Sequence, residues 1–258
     1  MGLIERLKKS GFSFTKSLGQ NFITDEGYLD CIVRELGVEK NDTVVEVGTG
    51  AGTLTRALSR VAKRVITIEI DKRLEPVLQK QFDGIKNIDL FFDDALQLDL
   101  GFVGGEYKLV ANIPYYITTP LVTKFMRDKN CTEISVLVQE ELGQRMVARV
   151  GTGEYGAFTV AVALWGEGRI VKRVPRNIFT PIPNVDSVFV RIKRQGAGDE
   201  KMERFLKTIF ASRRKKMSNA AKSFGVDLES VGINPDLRPE QITPEQFAVL
   251  FSAIKAKN

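Results

Sequence analysis

Five short runs of this chain are almost wholly apolar: TVVEV (43–47), RVITIEID (64–71), NIDLFF (87–92), YKLVA (107–111) and EISVLVQ (133–139). A strand with one wet face alternates apolar and polar residues, whereas one that is apolar throughout must be covered on both faces. Helical patterns separate the runs: Thr53 to Ser59, then KRLEPVLQKQF, then a helix opened by Thr119 and Pro120. After the fifth run comes another, EELGQRMVARV. Strand and helix in alternation predict a parallel sheet between two helical layers. A helix in front of the first strand is capped by Asp25 and stopped by Gly37, with Leu29, Ile32, Val33 and Leu36 on one face. Further on, 156–165 reads as a helix, and RIVKRV and SVFVRIK read as closing strands near the sheet edge. The small, aperiodic stretch RQGAGDE (194–200) predicts a domain boundary, giving units 1–194 and 195–258. Beyond it the pattern is helical. The last helix opens at TPEQ, with Thr243 as cap and Gln246 in the capping-box place.

What the chain lacks narrows its chemistry. Among its 258 residues there is no histidine, which excludes Ser-His and Cys-His catalysis and any His-ligated metal. No metal site is expected. The two cysteines, Cys31 and Cys131, read as reduced thiols among apolar neighbours. No apolar run approaches the roughly 20 residues that span a bilayer. MGLIERLKKSGFSF lacks the apolar core of an export signal, so a cytoplasmic protein is expected, with no membrane contact. The oligomeric state is left open, with a monomer as the default.

The turn after the first sheet strand, GTGAGT, sets Gly48, Gly50 and Gly52 between strand and helix. Glycines there let backbone N–H groups approach a ligand at the positive end of the helix. Glu69 ends the next strand, where a carboxylate can accept hydrogen bonds from both ribose hydroxyls of an adenosine. The bland alternative is a tight turn that binds nothing. No lysine follows Gly52, so this is not a P-loop. The spacing Gly-x-Gly-x-Gly differs from the dinucleotide fingerprint. It resembles the S-adenosylmethionine loop of Rossmann-like methyltransferases. In such a cleft Asp94, at the end of the third strand, would meet the adenine amino group.

The fourth strand ends in NIPY, Asn112 to Tyr115. Ligands of open α/β sheets bind at the carboxyl ends of the strands, so Asn112 falls beside the cofactor. Adenine N6 is a poor nucleophile because its lone pair is delocalised into the ring. Two acceptors on its N–H groups, the Asn112 side-chain oxygen and the Ile113 carbonyl, would draw N6 toward tetrahedral geometry and free that pair. Pro114 holds Ile113 extended. Tyr115 can stack on the flipped base. No general base is needed, since the methylated cation is acidic enough to lose its proton to water. The competing reading is a Pro-Tyr turn that merely packs on the core.

NIPY, EVGTGAGTLT and KSLGQNFITD (16–25) together resemble the ribosomal RNA small-subunit adenine N6,N6-dimethyltransferases, the KsgA/Dim family. The similarity runs over nearly the whole chain. It implies a Rossmann-like α/β sheet binding S-adenosylmethionine, with a small C-terminal helical domain. It also implies cofactor contacts at Asn21, Ile23, Gly48, Gly50, Glu69, Asp94 and Asn112. An element running from Phe179 to Ser187 matches the family's F-x-P-x-P-x-V-D-S, which implies that Phe179 stacks on the target adenine opposite Tyr115. Two positions depart: Asn184 stands where lysine is usual, and Tyr116 where asparagine is frequent. The implied reaction is N6,N6-dimethylation of adjacent adenosines in small-subunit ribosomal RNA. The implied partner is a small-subunit particle.

Charge distribution adds a docking surface. Residues 201–225 carry eight Lys/Arg and one Glu, while the rest of the chain is near neutral. A local excess not balanced by acids at helical spacing favours a polyanion over a solvated helix face. Arg213, Arg214, Lys215 and Lys216 would neutralise phosphates. Three rivals remain. One is a large-subunit methylase of the Erm type, which shares NIPY and QNF. Another is a non-catalytic assembly factor of the same fold. The third is a nicotinamide dehydrogenase, disfavoured by its glycine spacing. VQEELGQRMVA, YGAFTV and SRRKKMSN favour the small-subunit enzyme by resemblance.

Overall fold

The computed structural model describes residues 5, 12–15, 20–113 and 115–257. Among these, the chain opens with a two-residue strand β1 (Phe22–Ile23) and helix α1 (Glu26–Glu35). It continues through β2 (Thr43–Val47), α2 (Thr53–Ser59), β3 (Arg64–Glu69), α3 (Glu75–Phe82), β4 (Ile88–Phe92) and β5 (Tyr107–Asn112). Next come α4 (Thr118–Arg127), β6 (Cys131–Gln139), α5 (Glu140–Met146), α6 (Ala157–Trp165) and β7 (Gly166–Val174). A second two-residue strand, β8 (Phe179–Thr180), precedes β9 (Ser187–Arg194). Three helices end the chain: α7 (Glu200–Ala211), α8 (Met217–Ala220) and α9 (Pro244–Lys257).

β2 to β6 are the five apolar runs, and they pair in parallel in the order β4-β3-β2-β5-β6, with β9 and β7 added antiparallel at one edge. Their alternate residues feed two different cores. Val45, Val47, Leu109 and Ala111 point into a large cluster with Leu121, Phe125 and Trp165, under α4 and α6. Val44, Val65 and Val110 point the other way, to Leu29, Ile32 and Leu58 of α1 and α2. This two-sided burial is why no strand could carry a polar alternation. Order within the parallel part changes direction between β2 and β5, so the crevice that binds ligands lies beyond Val47 and Asn112.

The helix signals act as their chemistry requires. Asp25 accepts a hydrogen bond from Tyr28 N at 2.9 Å. Thr243 and Gln246 form a reciprocal capping box, Gln246 N to Thr243 Oγ1 at 3.2 Å and Thr243 N to Gln246 Oε1 at 3.0 Å. The stretch RQGAGDE is no loose tether. Gly198 N donates to Met126 O, and a Cβ on Gly198 would lie 2.5 Å from that same oxygen. The larger core runs on through it: Phe205, Leu206, Ile209, Phe247 and Leu250 of α7 and α9 join one cluster with Val160 and Trp165. No helix among the described residues is long and apolar enough to cross a membrane.

Candidate active site

The carboxyl ends of β2, β3, β4 and β5 surround a cavity of about 340 Å³, lined by Gly48, Gly50, Glu69, Ile70, Asp94, Leu96 and Asn112, with β1 on one flank. Two buried acids hold its floor. Glu69 Oε2 accepts from Gly50 N at 2.7 Å and its Oε1 from Asp71 N at 2.9 Å. Burial raises its pKa, and those two backbone donors oppose the rise. Each carboxylate oxygen keeps a second lone pair for a hydroxyl donor. Glu46 lies deeper, fully buried in β2. Its Oε2 accepts from Thr55 and Thr67, both at 2.6 Å, while Oε1 has no partner. Desolvation pushes its pKa up to about 8, against those two hydroxyl bonds. Thr67 passes the network on to Thr49, 2.6 Å away, at the cavity wall.

The glycine loop fits closely around this floor. Gly50 has φ +53°, and a Cβ there would sit 2.9 Å from the Phe22 ring. A side chain at Gly50 would be strained and would displace β1 from the cavity. Ile23 is held in turn by its carbonyl, which accepts from Thr53 Oγ1 at 2.6 Å. Asp94 is half-buried at the end of β4, where Oδ1 accepts from Leu96 N at 2.9 Å.

Asn112 ends β5 with its amide oriented by the chain itself. Its Nδ2 donates to the Asn21 carbonyl at 3.1 Å. A carbonyl can only accept, so the NH₂ faces Asn21 and Oδ1 is the terminal atom on the other edge. That leaves the acceptor the chemistry asks for pointing away from Asn21. Ile113 is buried beside it. Pro114 and the Tyr115 ring lie outside the described residues; the Tyr115 backbone begins a short 3-10 turn, Tyr115–Ile117.

Phe179 stands differently from expectation. Its ring is 2% exposed and packs with Ile23, Leu54, Val110 and Phe189. β8 pairs antiparallel with β1, setting Phe179 opposite Ile23. Phe179 is not among the residues lining the cavity, so in this arrangement it offers no face to a base there. The motif gave the residue type, but burial among residues of four separate elements was invisible to it. Sequence reasoning also passed over Gln20, Asp71 and Arg73. Gln20 Nε2 donates to Asp71 Oδ2 at 2.7 Å, and Arg73 holds the same carboxylate at 2.6 Å. Arg73 also reaches Thr15 Oγ1 at 2.7 Å, so the segment before β1 is tied to the turn after β3. Gln20 is the first residue of the QNF segment and could have been found there; Asp71 and Arg73 carried no pattern.

The basic run divides in two. Arg213 Nε bonds Glu240 at 3.3 Å, and its Nη2 donates to Gly153 O at 2.7 Å. Lys216 pairs with exposed Asp236 at 2.8 Å. Arg214 and Lys215 are exposed.

With this geometry in place, the comparisons are direct. The family model "Ribosomal RNA adenine dimethylase" matches residues 11–256. The chain belongs to the ribosomal RNA adenine dimethylase family. Among curated relatives, "Ribosomal RNA small subunit methyltransferase A" of Clostridioides difficile is 38% identical, over 98% of this chain and 95% of that protein. A Clostridium acetobutylicum protein of the same name is 36% identical, with 96% of each chain covered. A dimethyladenosine transferase from Plasmodium falciparum superposes with a TM-score of 0.77 at 26% identity, over 90% of this chain and 96% of that one. The 23S rRNA methyltransferase ErmE superposes with a TM-score of 0.67 at 25% identity, over 91% and 99%. The sheet with its helical layers is thus the architecture of this family. The cofactor the family implies is S-adenosylmethionine. The cavity fits that molecule: a paired-acceptor carboxylate for a ribose, the apolar Ile70 and Leu96 beside Asp94 for an adenine, and glycine backbone where a side chain would clash.

Proposed function

We propose that this chain is an S-adenosylmethionine-dependent enzyme that dimethylates N6 of adjacent adenosines in small-subunit (16S) ribosomal RNA during small-subunit biogenesis. The observation that carries this reading is Asn112. Its amide is oriented by the Asn21 carbonyl, on the wall of the same cavity as Glu69 and the glycine loop. Bound there, S-adenosylmethionine supplies an electrophilic methyl group on a sulfonium. Glu69 takes the ribose hydroxyls, Asp94 the adenine amino group, and Asn21 and Ile23 close the flank. Asn112 Oδ1 and the Ile113 carbonyl would accept hydrogen bonds from the N6–H groups of the target adenine and free the N6 lone pair for attack. Pro114 keeps the Ile113 carbonyl extended, and the Tyr115 ring stacks on the target base. No side chain has to remove a proton.

Residues 195–258 serve RNA docking, while 1–194 carry the chemistry; the division is one of task, since the core is shared. Arg214 and Lys215 neutralise phosphates, and Arg213 and Lys216 shape that surface through Glu240 and Asp236. The enzyme works in the cytoplasm, where ribosomal particles assemble. A large-subunit target is less supported, because whole-length relatives at 34–38% identity carry small-subunit names. Incubation with labelled S-adenosylmethionine and unmethylated small- and large-subunit particles tests the proposal. N6,N6-dimethyladenosine should appear in digests of the small-subunit RNA. Its appearance only in the large-subunit RNA would reassign the target, and its absence from both would refute methyl transfer.

A further inference from the structure

The cavity has a mouth whose chemistry the reaction does not use. Tyr116 contributes to the cavity wall yet leaves 64% of its surface in water. It leads into α4, on the side of the sheet covered by the larger core. After β8, whose Thr180 pairs with Phe22 on the flank of the cavity, Ile182 is 64% and Val185 44% exposed. These are large apolar groups, Tyr116 in the turn after β5 and Ile182 and Val185 between β8 and β9. The charges around them are mostly acidic. Asp93 and Asp94 line the cavity with Tyr116, and Glu140, Glu141 and Asp186 line a groove with Val185. Two cations stand among these acids: Arg176 lines the groove and donates to the Asn184 carbonyl, and Arg173 pairs with Glu140.

An acidic rim repels phosphates, and an exposed ring or aliphatic group offers nothing to them. Both suit the uncharged face of a base. The cavity encloses Asn112 between β1, the glycine loop and the end of β4, so a target base must leave its stack to reach it. Whatever polynucleotide delivers that base must therefore pass its neighbours across this mouth.

We propose that Tyr116 on one rim and Ile182 on the other hold the bases that flank the target adenosine, with the RNA phosphates turned outward. This inference rests on the ribosomal RNA reading above. It makes Tyr116 a specificity-determining residue for single-stranded, base-exposed RNA. It also separates two kinds of RNA contact in one protein: salt-insensitive stacking at the mouth and salt-sensitive neutralisation on the C-terminal helices.

The test compares wild type, Tyr116→Ala, Tyr116→Phe, Tyr116→Leu and Ile182→Ser on unmethylated small-subunit particles. Tyr116→Ala should raise KM for the particle by about 5- to 150-fold, the loss of one stacked base. Tyr116→Phe keeps the ring and should stay within about threefold of wild type. Tyr116→Leu lacks a π-face and should follow the alanine variant. Ile182→Ser should raise KM by a smaller factor, about three- to fivefold. The slope of log affinity against log salt should be the same in all five proteins, because no phosphate contact is lost. The inference is overturned by a wild-type KM in Tyr116→Ala, by full rescue in Tyr116→Leu, or by a changed salt slope. It is also overturned if S-adenosylmethionine affinity falls as much as particle affinity, which would place the ring in the cofactor site instead. Wild-type protein that transfers no methyl group to the particles would fail the underlying reading, and this inference with it. Wild-type turnover with an unaffected alanine variant would fail this inference alone.

Discussion

The two charged regions of the molecule are built on opposite principles. At the carboxyl ends of β2 and β3 the titratable groups are few, acidic and buried. Glu69 is fixed by two backbone donors, and Glu46 hangs on two threonine hydroxyls with one oxygen orphaned. On the C-terminal helices the charges are many, basic and mostly in water, and several already have acidic partners of their own chain. In the first region each atom has one geometry, so a single substitution should have a large and specific effect. In the second, interactions are screened and shared, so effects should be small, graded and salt-dependent.

The largest expected effect lies at the cavity wall. Asn112→Ala should lower single-turnover rates at saturating cofactor and RNA by at least about 100-fold, as removal of a preorganised polar group does. Near-normal rates would mean that the oriented Oδ1 is not part of the chemistry. Next comes Glu69→Ala, which removes charge-assisted hydrogen bonds of about 1.5–3 kcal/mol each. Calorimetry should show S-adenosylmethionine affinity reduced by about tenfold or more. Unchanged affinity would break the contrast at its strongest point, because a buried acid would then behave like a surface one.

Glu46 sharpens the contrast through pH. An unfolded chain ionises a glutamate near pH 4.5, while burial holds the proton on Glu46 up to about pH 8. Below the unfolded value both states are protonated, and the contribution is fully present. As pH rises from there toward 8, the unfolded state gains by ionising and the folded state does not. Stability therefore falls across this window, at up to about 1.4 kcal/mol per pH unit, and levels off above it. Glu46→Gln cannot ionise, so its stability relative to wild type should climb between pH 5 and pH 8.5 in urea titrations. A constant difference across that range would show Glu46 ionised in the fold.

The smallest effects belong to the helices. Changing Arg214 and Lys215 together to glutamine should flatten the slope of log affinity for small-subunit particles against log salt by about one or two units. S-adenosylmethionine affinity should not move. Arg213→Gln should instead loosen the contact with Glu240 and the 152–153 carbonyls, seen as a lower melting temperature with little change in salt slope. If Arg213→Gln and the double variant exchange behaviours, the division of the basic run drawn from the structure is wrong.

The sheet was legible because strands buried on both faces cannot hide their apolar content, and because caps act within four residues. Asp25, Thr243 and Gln246 did locally what their side chains allow. The cavity residues Gly48, Gly50, Glu69, Asp94 and Asn112 were legible for a related reason. Each sits at the end of a strand, and parallel strands bring their ends together whatever the loops do. Contacts made across long separations left no such trace. The orientation of the Asn112 amide depends on a carbonyl 91 residues away. Phe179 is buried among Ile23, Leu54, Val110 and Phe189 from four separate elements, and the latch of Gln20 on Asp71 depends on a turn beyond β3. Periodicity and capping are properties of neighbours along the chain. Which way an amide faces, which ring is covered and which arginine is already paired are decided only when the chain closes on itself.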